Sequence, residues 1–454
     1  MGLTDDPADL TLVAARRELD AGRLSAVELT TAVLDRVAAL DRFRTAYLHV
    51  DREAALGQAR AADGGGTDGR PLRGIPLCVK DIIDVAGMPT TAGAAVWRRD
   101  PGTDAAVIAR LRAAGAVIVG KGHTNEFAYG PDGLNPHHGD CANPYDPTRV
   151  AGGSSSGPAV TTATGMALAG IGTDTSGSVR IPAALCGLVG VRPTLESVPR
   201  SGVLPLAWSY DVVGPLARTV EDAAALLAVL ADNPSLARVP QPDLTGTRLG
   251  LLEELVESAE PTIADGVAAT VARLEAAGAK VVPCRPALLR HARAMHFVIQ
   301  QAESAQAHAP WFAAQRMHYS PAVRGRIEAG QGLPAAHYLA AQQARRLFIE
   351  DVARAMAGLD ALLAPTVPMV APPLTTAELT VGGRRLTLRE ALLHCTIAFS
   401  QLGSPVVSVP IGADAGLPYG LQIAGCPHAE RVVLAIAAAC EQWWPWADRR
   451  PHVG

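Results

Sequence analysis

The sequence predicts an α/β protein that folds as one compact domain. Helical and strand patterns alternate along most of its 454 residues, which is typical of α/β folds. Hydrophobic residues make up 48% of the chain and charged residues 19%, so the chain can bury a sizeable core. No linker stands out by composition, and no repeat of fixed period occurs. A single domain over residues 1–454 is therefore the simplest prediction.

The N-terminal part, residues 1–65, is predicted to be helical and to lead into a buried strand. Ser25 and Glu28 match a capping box, and an apolar face with helical spacing follows them. The glycine-rich stretch 62–71 predicts an exposed loop. Residues 74–80, GIPLCVK, then predict a short buried strand whose last residue is a lysine.

The middle of the chain continues the alternation of helices and strands. Residues 104–122 predict a helix followed by a strand, and an amphipathic helix begins near residue 219. A strand, a helix and a second strand are predicted within residues 248–283, as in a βαβ unit. Residues 285–358 have a mostly helical pattern, and we assign them to a variable segment that faces the substrate.

The C-terminal part predicts three strands and a closing helix. Residues 361–373 are apolar but interrupted by prolines, which predicts a strand followed by an extended loop. The stretches 404–412 and 416–425 predict two further strands. Residues 429–441 predict the closing helix.

Charge and cysteine content argue against several classes of protein. The formal net charge is −4, which gives no electrostatic reason to expect nucleic acid or an anionic membrane as a partner. The seven scattered cysteines include no CxxC pair, which argues against a disulfide framework and a structural zinc site. The acidic N-terminus lacks the apolar centre of a secretory signal, and no apolar run approaches the roughly 18 residues of a membrane span. We therefore expect a cytoplasmic protein.

The stretch GGSSSG at residues 152–157 allows three interpretations from its own pattern. A flexible linker fits poorly, because the stretch runs directly into apolar residues. A phosphate-binding loop needs a P-loop ending or a full GxGxxG, and GIGTDT at 170–175 supplies only half of the latter. The third is the GxSxG nucleophile elbow of α/β-hydrolases, with Ser155 as nucleophile and His428 as a late triad histidine. An elbow must follow a strand, whereas prolines precede Ser155, so this interpretation stays an alternative.

Three segments carry a more specific signal when they are taken together. They read GIPLCVKDIIDVAGMPTTAG at 74–93, AGGSSSGPAV at 151–160 and GIGTDTSGSVRIPAALCGLVGVRPT at 170–194. In this order and spacing they resemble the signature of the amidase signature family of serine hydrolases. The similarity is strong over a signature core at 70–235 and looser towards the C-terminus. It implies the fold of that family, a central mixed and twisted β-sheet surrounded by α-helices.

The resemblance implies a Ser–cis-Ser–Lys triad that forms an acyl-enzyme. Lys80 maps onto the catalytic base, Ser154 onto the bridging serine with its cis peptide bond, and Ser178 onto the nucleophile. Lysine acts as a base only when neutral, and burial beside an apolar strand lowers its pKa. From the residues alone, a strand-end lysine paired with Asp81 or Asp84 is the simpler interpretation, and the family motif favours the catalytic role.

The resemblance also assigns roles to residues around the nucleophile. The oxyanion hole is expected to use the backbone N–H groups of Thr175, Ser176, Gly177 and Ser178. Supporting roles are expected for Ser155, Asp174 and Arg180. The last two are expected to pair with each other and shape the loop. Ser176 stands where the family usually has glycine, so its side chain is expected to narrow or polarise the oxyanion loop, and the run after the bridging serine also departs from the usual Ser-Gly-Gly-Ser.

Candidate substrate-binding residues follow from position. Tyr129 falls where family members line the site with a hydrophobic side chain, and Trp208 and Tyr210 lie between the nucleophile loop and the next helix. The resemblance implies an amidase that cleaves small linear amides, extending to aryl amides, carbamates or esters. The alternative is the glutaminase-type subunit of a tRNA-dependent amidotransferase, which works with a partner subunit. We favour the stand-alone enzyme, because LAWSYD at 206–211 differs from the amidotransferase pattern and no docking tail is evident.

The predicted mechanism requires no cofactor and no metal. The twelve histidines show no metal-binding spacing such as HExxH. The expected partner is a small-molecule amide substrate, with neither nucleic acid nor membrane, and this prediction is compatible with a homodimer.

Overall fold

An eleven-stranded mixed β-sheet forms the centre of the structure, a computed structural model that describes residues 6–65, 69–240, 243–446 and 449–451. The strands are β1 (Tyr47–Val50), β2 (Pro76–Lys80), β3 (Val117–Gly122), β4 (Ala169–Asp174), β5 (Val189–Arg192), β6 (Val212–Ala217), β7 (Arg248–Leu252), β8 (Lys280–Cys284), β9 (Ala361–Pro365), β10 (Glu378–Val381), β11 (Arg384–Thr387), β12 (Val406–Asp414) and β13 (Leu417–Gly425). The order across the sheet is β1-β3-β2-β4-β6-β5-β12-β13-β9-β7-β8, and β10 and β11 form a separate hairpin.

Helices flank this sheet. They are α1 (Leu12–Asp20), α2 (Ala26–Ala39), α3 (Arg52–Gly64), α4 (Ala106–Ala113), α5 (Ser156–Thr164), α6 (Arg180–Leu185), α7 (Val220–Leu230), α8 (Glu253–Glu257), α9 (Pro261–Ala276), α10 (Ala292–Gln315), α11 (Pro321–Gln331), α12 (Ala335–Ala355), α13 (Leu388–Leu392), α14 (Thr396–Leu402) and α15 (Glu430–Trp443). Short 3₁₀ turns lie at Pro7–Asp9, Asp41–Ala46, Glu126–Ala128, Pro234–Ala237, Leu289–His291 and Arg316–His318. Within the described residues, no helix combines the length and the apolarity needed to cross a bilayer.

Parallel pairing occurs at two places in the sheet. β2 lies between β3 and β4 and is parallel to both. β7 lies between β8 and β9 and is parallel to both. The strands between these two groups pair antiparallel. The sheet is therefore mixed, and the predicted fold class is confirmed.

Most of the predicted elements are present. The capping box of Ser25 and Glu28 begins α2, β7, α9 and β8 form the predicted βαβ unit, and α10, α11 and α12 account for the helical segment. The N-terminal part differs at residues 47–50, which form β1, an antiparallel edge strand on β3. Residues 1–5 of the predicted helical part and 66–68 of the predicted loop lie outside the described residues.

The middle of the sheet is buried on both faces. Every residue of β2, β3 and β4 is buried, as expected for parallel strands that helices cover on both sides. One contiguous apolar cluster extends from α1 through these strands to α15. The carboxyl ends of β2 and β4 are thus held in a rigid setting.

The serine-rich stretch continues into a buried helix. All residues of α5 are buried, and Gly157 lets the helix approach β3, since a Cβ there would lie 2.0 Å from the backbone nitrogen of His123. Gly165 ends the helix with φ of 75°, a left-handed conformation that favours glycine. The flexible-linker interpretation is therefore wrong.

Candidate active site

Lys80 is the last residue of β2 and is fully buried. Because β2 and β4 are parallel, their carboxyl ends meet at the same edge of the sheet. The Lys80 Nζ donates to Ser154 Oγ at 2.8 Å and to Thr173 Oγ1, near the end of β4, also at 2.8 Å. The lysine therefore contacts both serine-rich segments of the sequence.

The carboxylates next to this lysine in the sequence are engaged elsewhere. Asp81 pairs with the buried Lys121 at 2.9 Å, and Asp84 pairs with Arg99 at 2.7 Å. The alternative of an ordinary strand-end lysine paired with Asp81 or Asp84 is therefore wrong.

The environment of Lys80 favours its neutral form. Burial lowers the pKa of its ammonium group from 10.5 to about 7. The carboxylates of Asp174 and Asp211 oppose burial and raise this pKa. A group with a pKa near neutrality is suited to general base catalysis.

The two serines that follow Gly153 have different surroundings. The peptide bond between Gly153 and Ser154 is cis, and the Ser154 hydroxyl accepts the hydrogen bond from the lysine described above. The Ser155 hydroxyl is held by the backbone of Thr173: it accepts from the N–H and donates to the carbonyl, each at 3.2 Å. The Ser155 N–H donates to the carbonyl of Ser178 at 3.2 Å, so the two serine-containing loops are joined through their backbones.

Ser178 lines a cavity of about 230 Å³ together with Tyr129, Leu206 and Gln300. In the part of the chain that the structure describes, the Ser178 hydroxyl has no hydrogen-bond partner within the protein, and no hydrogen bond joins it to the Ser154 hydroxyl. The Ser178 side chain is thus available to a molecule in the cavity.

The loop between β4 and α6 supplies backbone donors beside Ser178. The Gly177 N–H donates to Asp174 Oδ1 at 2.9 Å, so this predicted oxyanion donor is engaged by the carboxylate. Among the described residues, no protein acceptor faces the N–H groups of Thr175, Ser176 and Ser178. These three groups are the donors available to an oxyanion.

Asp174 lies at the centre of a buried ionic cluster. It pairs with Arg180 at 3.0 Å, as expected from the sequence, and with Arg192 at 3.1 Å. Burial alone would raise the pKa of Asp174, but the two guanidinium groups hold it well below its ordinary value. Arg180 also donates to the carbonyl of Thr396 at 3.1 Å and to Gln422 Oε1 at 2.9 Å. The cluster therefore connects the nucleophile loop to the C-terminal part of the chain.

The Ser176 side chain is held by helix α10. Its Oγ lies 2.6 Å from His296 Nε2 and accepts from Gln300 Nε2 at 3.0 Å. Burial lowers the pKa of His296 well below its ordinary value, so the imidazole is neutral and accepts the Ser176 proton at Nε2. The hydroxyl is thereby fixed on the α10 side of the loop.

The three aromatic residues predicted to bind substrate lie in different places. Tyr129 is buried and lines the cavity at Ser178. The Trp208 side chain is 52% exposed and does not line this cavity. Tyr210 is fully buried, donates to Gln401 Oε1 at 2.8 Å and packs on a histidine of α10, so it also lies outside the cavity lining.

The structure does not bring Ser155 and His428 together. The Ser155 hydroxyl is engaged by the backbone of Thr173, while His428 lines a separate cavity with Ser197 and Glu430. Residues 151–155 form no strand ahead of the serine. The nucleophile-elbow interpretation is therefore wrong.

Sequence reasoning missed several residues that contact the site. They are Thr173, Arg192, Asp211, His296, Gln300 and Arg389. Thr173 stands next to the nucleophile loop inside the third motif, so the alternation of side chains along β4 could have found it. No sequence pattern relates α10 and α13 to the signature core.

The mixed sheet and the signature segments define the class of protein, a hydrolase that acts on C–N bonds. The family model described as Amidase matches residues 28–434. The chain therefore belongs to the amidase signature family.

Comparisons with individual proteins agree with this assignment. A subunit of glutamyl-tRNA(Gln) amidotransferase from Chloroflexus aurantiacus is 37% identical over 487 aligned positions, which cover 98% of each chain. A crystal structure described as an amidase superimposes with a TM-score of 0.90 at 35% identity, covering 95% of this chain and 99% of the other. The native peptide amidase from Stenotrophomonas maltophilia superimposes with a TM-score of 0.85 at 32% identity, covering 98% of each chain.

Proposed function

We propose that this chain hydrolyses small carboxamides through an acyl-enzyme on Ser178. The observation that carries the proposal is the buried Lys80, whose Nζ lies 2.8 Å from Ser154 Oγ and whose pKa is lowered to about 7 by burial. A neutral amine beside a serine hydroxyl meets the requirement for a base that activates a serine nucleophile. The proposed link from base to nucleophile is the hydroxyl of Ser154.

In the proposed first step, Ser178 Oγ attacks the amide carbonyl carbon. The Ser178 proton passes to Ser154 Oγ while the Ser154 proton passes to Lys80 Nζ, so the lysine becomes an ammonium group. The carbonyl oxygen gains negative charge and accepts from the free N–H groups of Ser176 and Ser178. One such donor typically contributes about 3 kcal/mol to the stabilisation of a transition state.

In the proposed second step, the C–N bond breaks and the proton returns. Lys80 gives its proton back through Ser154 to the leaving nitrogen, because an unprotonated amine is a very poor leaving group. An ester on Ser178 and a free amine, or ammonia, result. Water then attacks the ester with the same groups acting as base and acid, which releases the carboxylic acid.

The test combines three variants with a labelling experiment. Ser178→Ala, Lys80→Met and Ser154→Ala are each expected to lower kcat on carboxamides, anilides, carbamates and esters by roughly a thousandfold or more. A serine-directed phosphonate is expected to label Ser178, as read by mass spectrometry. Normal turnover by Ser178→Ala, or an adduct on Ser155, contradicts the proposal.

A second candidate is an ammonia-releasing glutaminase subunit of a tRNA-dependent amidotransferase. The observation that favours it is the 37% identity to a subunit of such an enzyme over almost the whole of both chains. It predicts cleavage of glutamine that depends on a partner protein. Co-purification from native lysate, followed by assay with glutamine and with simple amides, distinguishes it from a stand-alone amidase.

A further inference from the structure

One cationic side chain lines the cavity at Ser178. The described lining residues are otherwise uncharged, with Tyr129, Leu206 and Leu393 supplying large apolar surfaces. Arg389, the second residue of α13, is the one charged residue among them. The cavity therefore presents a positive charge in mainly apolar surroundings.

The hydrogen-bonding capacity of Arg389 is only partly used. Its Nη2 donates to Gln300 Oε1 at 3.0 Å. Its Nε is shielded from solvent and donates to no acceptor within the described part of the chain. It takes part in no ion pair there either, since the adjacent Glu390 pairs with Arg293 at 3.5 Å. A shielded guanidinium N–H without an acceptor is unfavourable, so the site lacks one partner.

The guanidinium group of Arg389 is held in place by aromatic rings. It lies 4.5 Å from the ring centre of Phe297 and 5.8 Å from that of Tyr129. Arg326, on the same Tyr129 ring at 5.3 Å, also has no ion pair among the described residues. The buried acid that acts on both arginines, Asp132, accepts hydrogen bonds within its own loop. Burial lowers the pKa of Arg389 to about 10, so it stays cationic at neutral pH.

A chain of hydrogen bonds joins Arg389 to the nucleophile loop. Arg389 donates to Gln300, Gln300 donates to Ser176, and Ser176 donates to the neutral His296. Every donor in this chain points the same way. The position of the cation is therefore coupled to the loop that holds Ser178.

We infer that Arg389 binds a carboxylate of the substrate, so that the preferred substrate is a primary carboxamide that also carries a carboxylate, the monoamide of a short dicarboxylic acid. This inference rests on the proposed hydrolysis at Ser178. The planar guanidinium group matches the geometry of a carboxylate and forms strong charge-assisted hydrogen bonds with it. The cavity of about 230 Å³ fits an acid with a short carbon chain.

The same lining distinguishes a monoamide from an amino acid amide such as glutamine. Glutamine carries a carboxylate, but it also carries an ammonium group. None of the described lining residues has a carboxylate that could receive this ammonium, and Arg389 would repel it. Glutamine is therefore expected to be a poorer substrate than glutaramate, which has the same chain without the ammonium group.

The experiment measures ammonia release from malonamate, succinamate and glutaramate, each paired with its uncharged diamide, and from glutamine. We expect kcat/KM of the wild-type chain to be roughly 10- to 100-fold higher for the best monoamide than for its diamide. Arg389→Met is expected to remove this preference, mainly through KM, and to change the diamide rate less than about threefold. Arg389→Lys is expected to retain part of the preference, because it keeps the charge without the planar group.

Arg384→Met is the matched control, because it removes an exposed arginine that lines a different cavity. It is expected to leave the preference unchanged. In a separate measurement, succinamate is expected to raise the Tm of Ser178→Ala, and succinamide is not.

The outcomes separate the two proposals. Equal cleavage of monoamides and diamides by the wild-type chain, or a preference that survives Arg389→Met, overturns the role of Arg389 and leaves hydrolysis at Ser178 intact. A glutamine rate equal to that of glutaramate also overturns it. Undiminished cleavage by Ser178→Ala overturns the proposed function itself.

Discussion

Two opposing effects act on Lys80, and their balance determines the pH range in which it can serve as a base. Removal from water disfavours the ammonium form, whereas the charges of Asp174 and Asp211 favour it. With a pKa of about 7, the neutral fraction of Lys80 increases as the pH rises through neutrality.

A pH–rate profile tests this balance. We expect kcat/KM to rise with pH around a midpoint near 7, because only the neutral amine accepts a proton. Asp211→Asn removes a charge that raises the pKa of Lys80, so the rising limb is expected to move to lower pH. The asparagine oxygen can still accept from the N–H groups of Leu206 and Ala207, as Asp211 Oδ2 does.

Glu441→Gln provides the control for the pH–rate profile. Burial raises the pKa of Glu441 to about 7, so it titrates over the same range, but it lies on α15, where it accepts from the Val220 N–H. Its substitution is expected to leave the rising limb in place. A shift in this control, or an unshifted limb in Asp211→Asn, contradicts the assignment of the limb to Lys80.

Thr173 is a second partner of the proposed base. Thr173→Val keeps the shape of the side chain but removes the hydroxyl that accepts from Lys80 Nζ. We expect kcat/KM to fall by about tenfold, the effect of losing one hydrogen bond that orients the lysine. Thr162→Val makes the same exchange at a buried threonine whose hydroxyl bonds only within α5, and it is expected to leave the rate unchanged. Equal rates in both variants would argue against a role for the Thr173 hydroxyl.

At the residue scale, the sequence predicts what local motifs carry and misses what only the fold brings together. Lys80, Ser154 and Ser178 stand in three recognisable segments, so their proximity could be anticipated. Gln300 contacts Ser176 from 124 positions further along the chain, and nothing local to either residue indicates the contact. For the same reason Trp208, which is near the nucleophile loop in sequence, lies at the surface.

Helix α5 depends on how closely it approaches β3. A Cβ at Gly157 would lie 2.0 Å from the His123 nitrogen and 2.4 Å from the Ala46 oxygen, both backbone atoms that cannot move independently. Gly157→Ala is expected to lower the free energy of unfolding by about 3 kcal/mol, as measured by urea denaturation. Gly57→Ala, on the exposed face of α3 with open space around it, is expected to raise it by about 0.5–1 kcal/mol. A Gly157→Ala variant as stable as the wild-type chain would show that α5 is less tightly constrained.

At the element scale, strong local patterns are the ones that predict the structure well. The apolar run that ends at Lys80 forms β2, and the capping box starts α2. β1 is missed because four residues next to helical patterns become a strand only through pairing with β3. The β10–β11 hairpin is also missed, although the Gly382–Gly383 turn, with φ of 54° and 72°, is a recognisable hairpin signal.

At the scale of the whole molecule, Arg180 connects distant parts of the chain. Its guanidinium group reaches Asp174 on β4, Thr396 and Ser400 on α14, and Gln422 on β13. Lysine at this position would keep the charge but could not reach all these acceptors.

Arg180→Lys is expected to lower the free energy of unfolding by about 3 kcal/mol, because it leaves buried acceptors without a donor. It is also expected to lower kcat, since the nucleophile loop depends on Asp174. Urea denaturation and ammonia release measure the two effects. Arg346→Lys, at an exposed arginine that pairs with Glu350, is expected to change stability by less than about 0.5 kcal/mol. Similar stability losses in the two lysine variants would contradict the importance of the Arg180 contacts.

The long reach of Arg180 has a consequence for the newly made protein. Ser178 is synthesised well before Thr396, Ser400 and Gln422, the groups that hold its loop through Arg180. A nascent chain on the ribosome therefore exposes the serine before the frame around it exists. The chain cannot assemble its reactive loop until nearly all of it has been translated, and this order of events separates synthesis from catalysis.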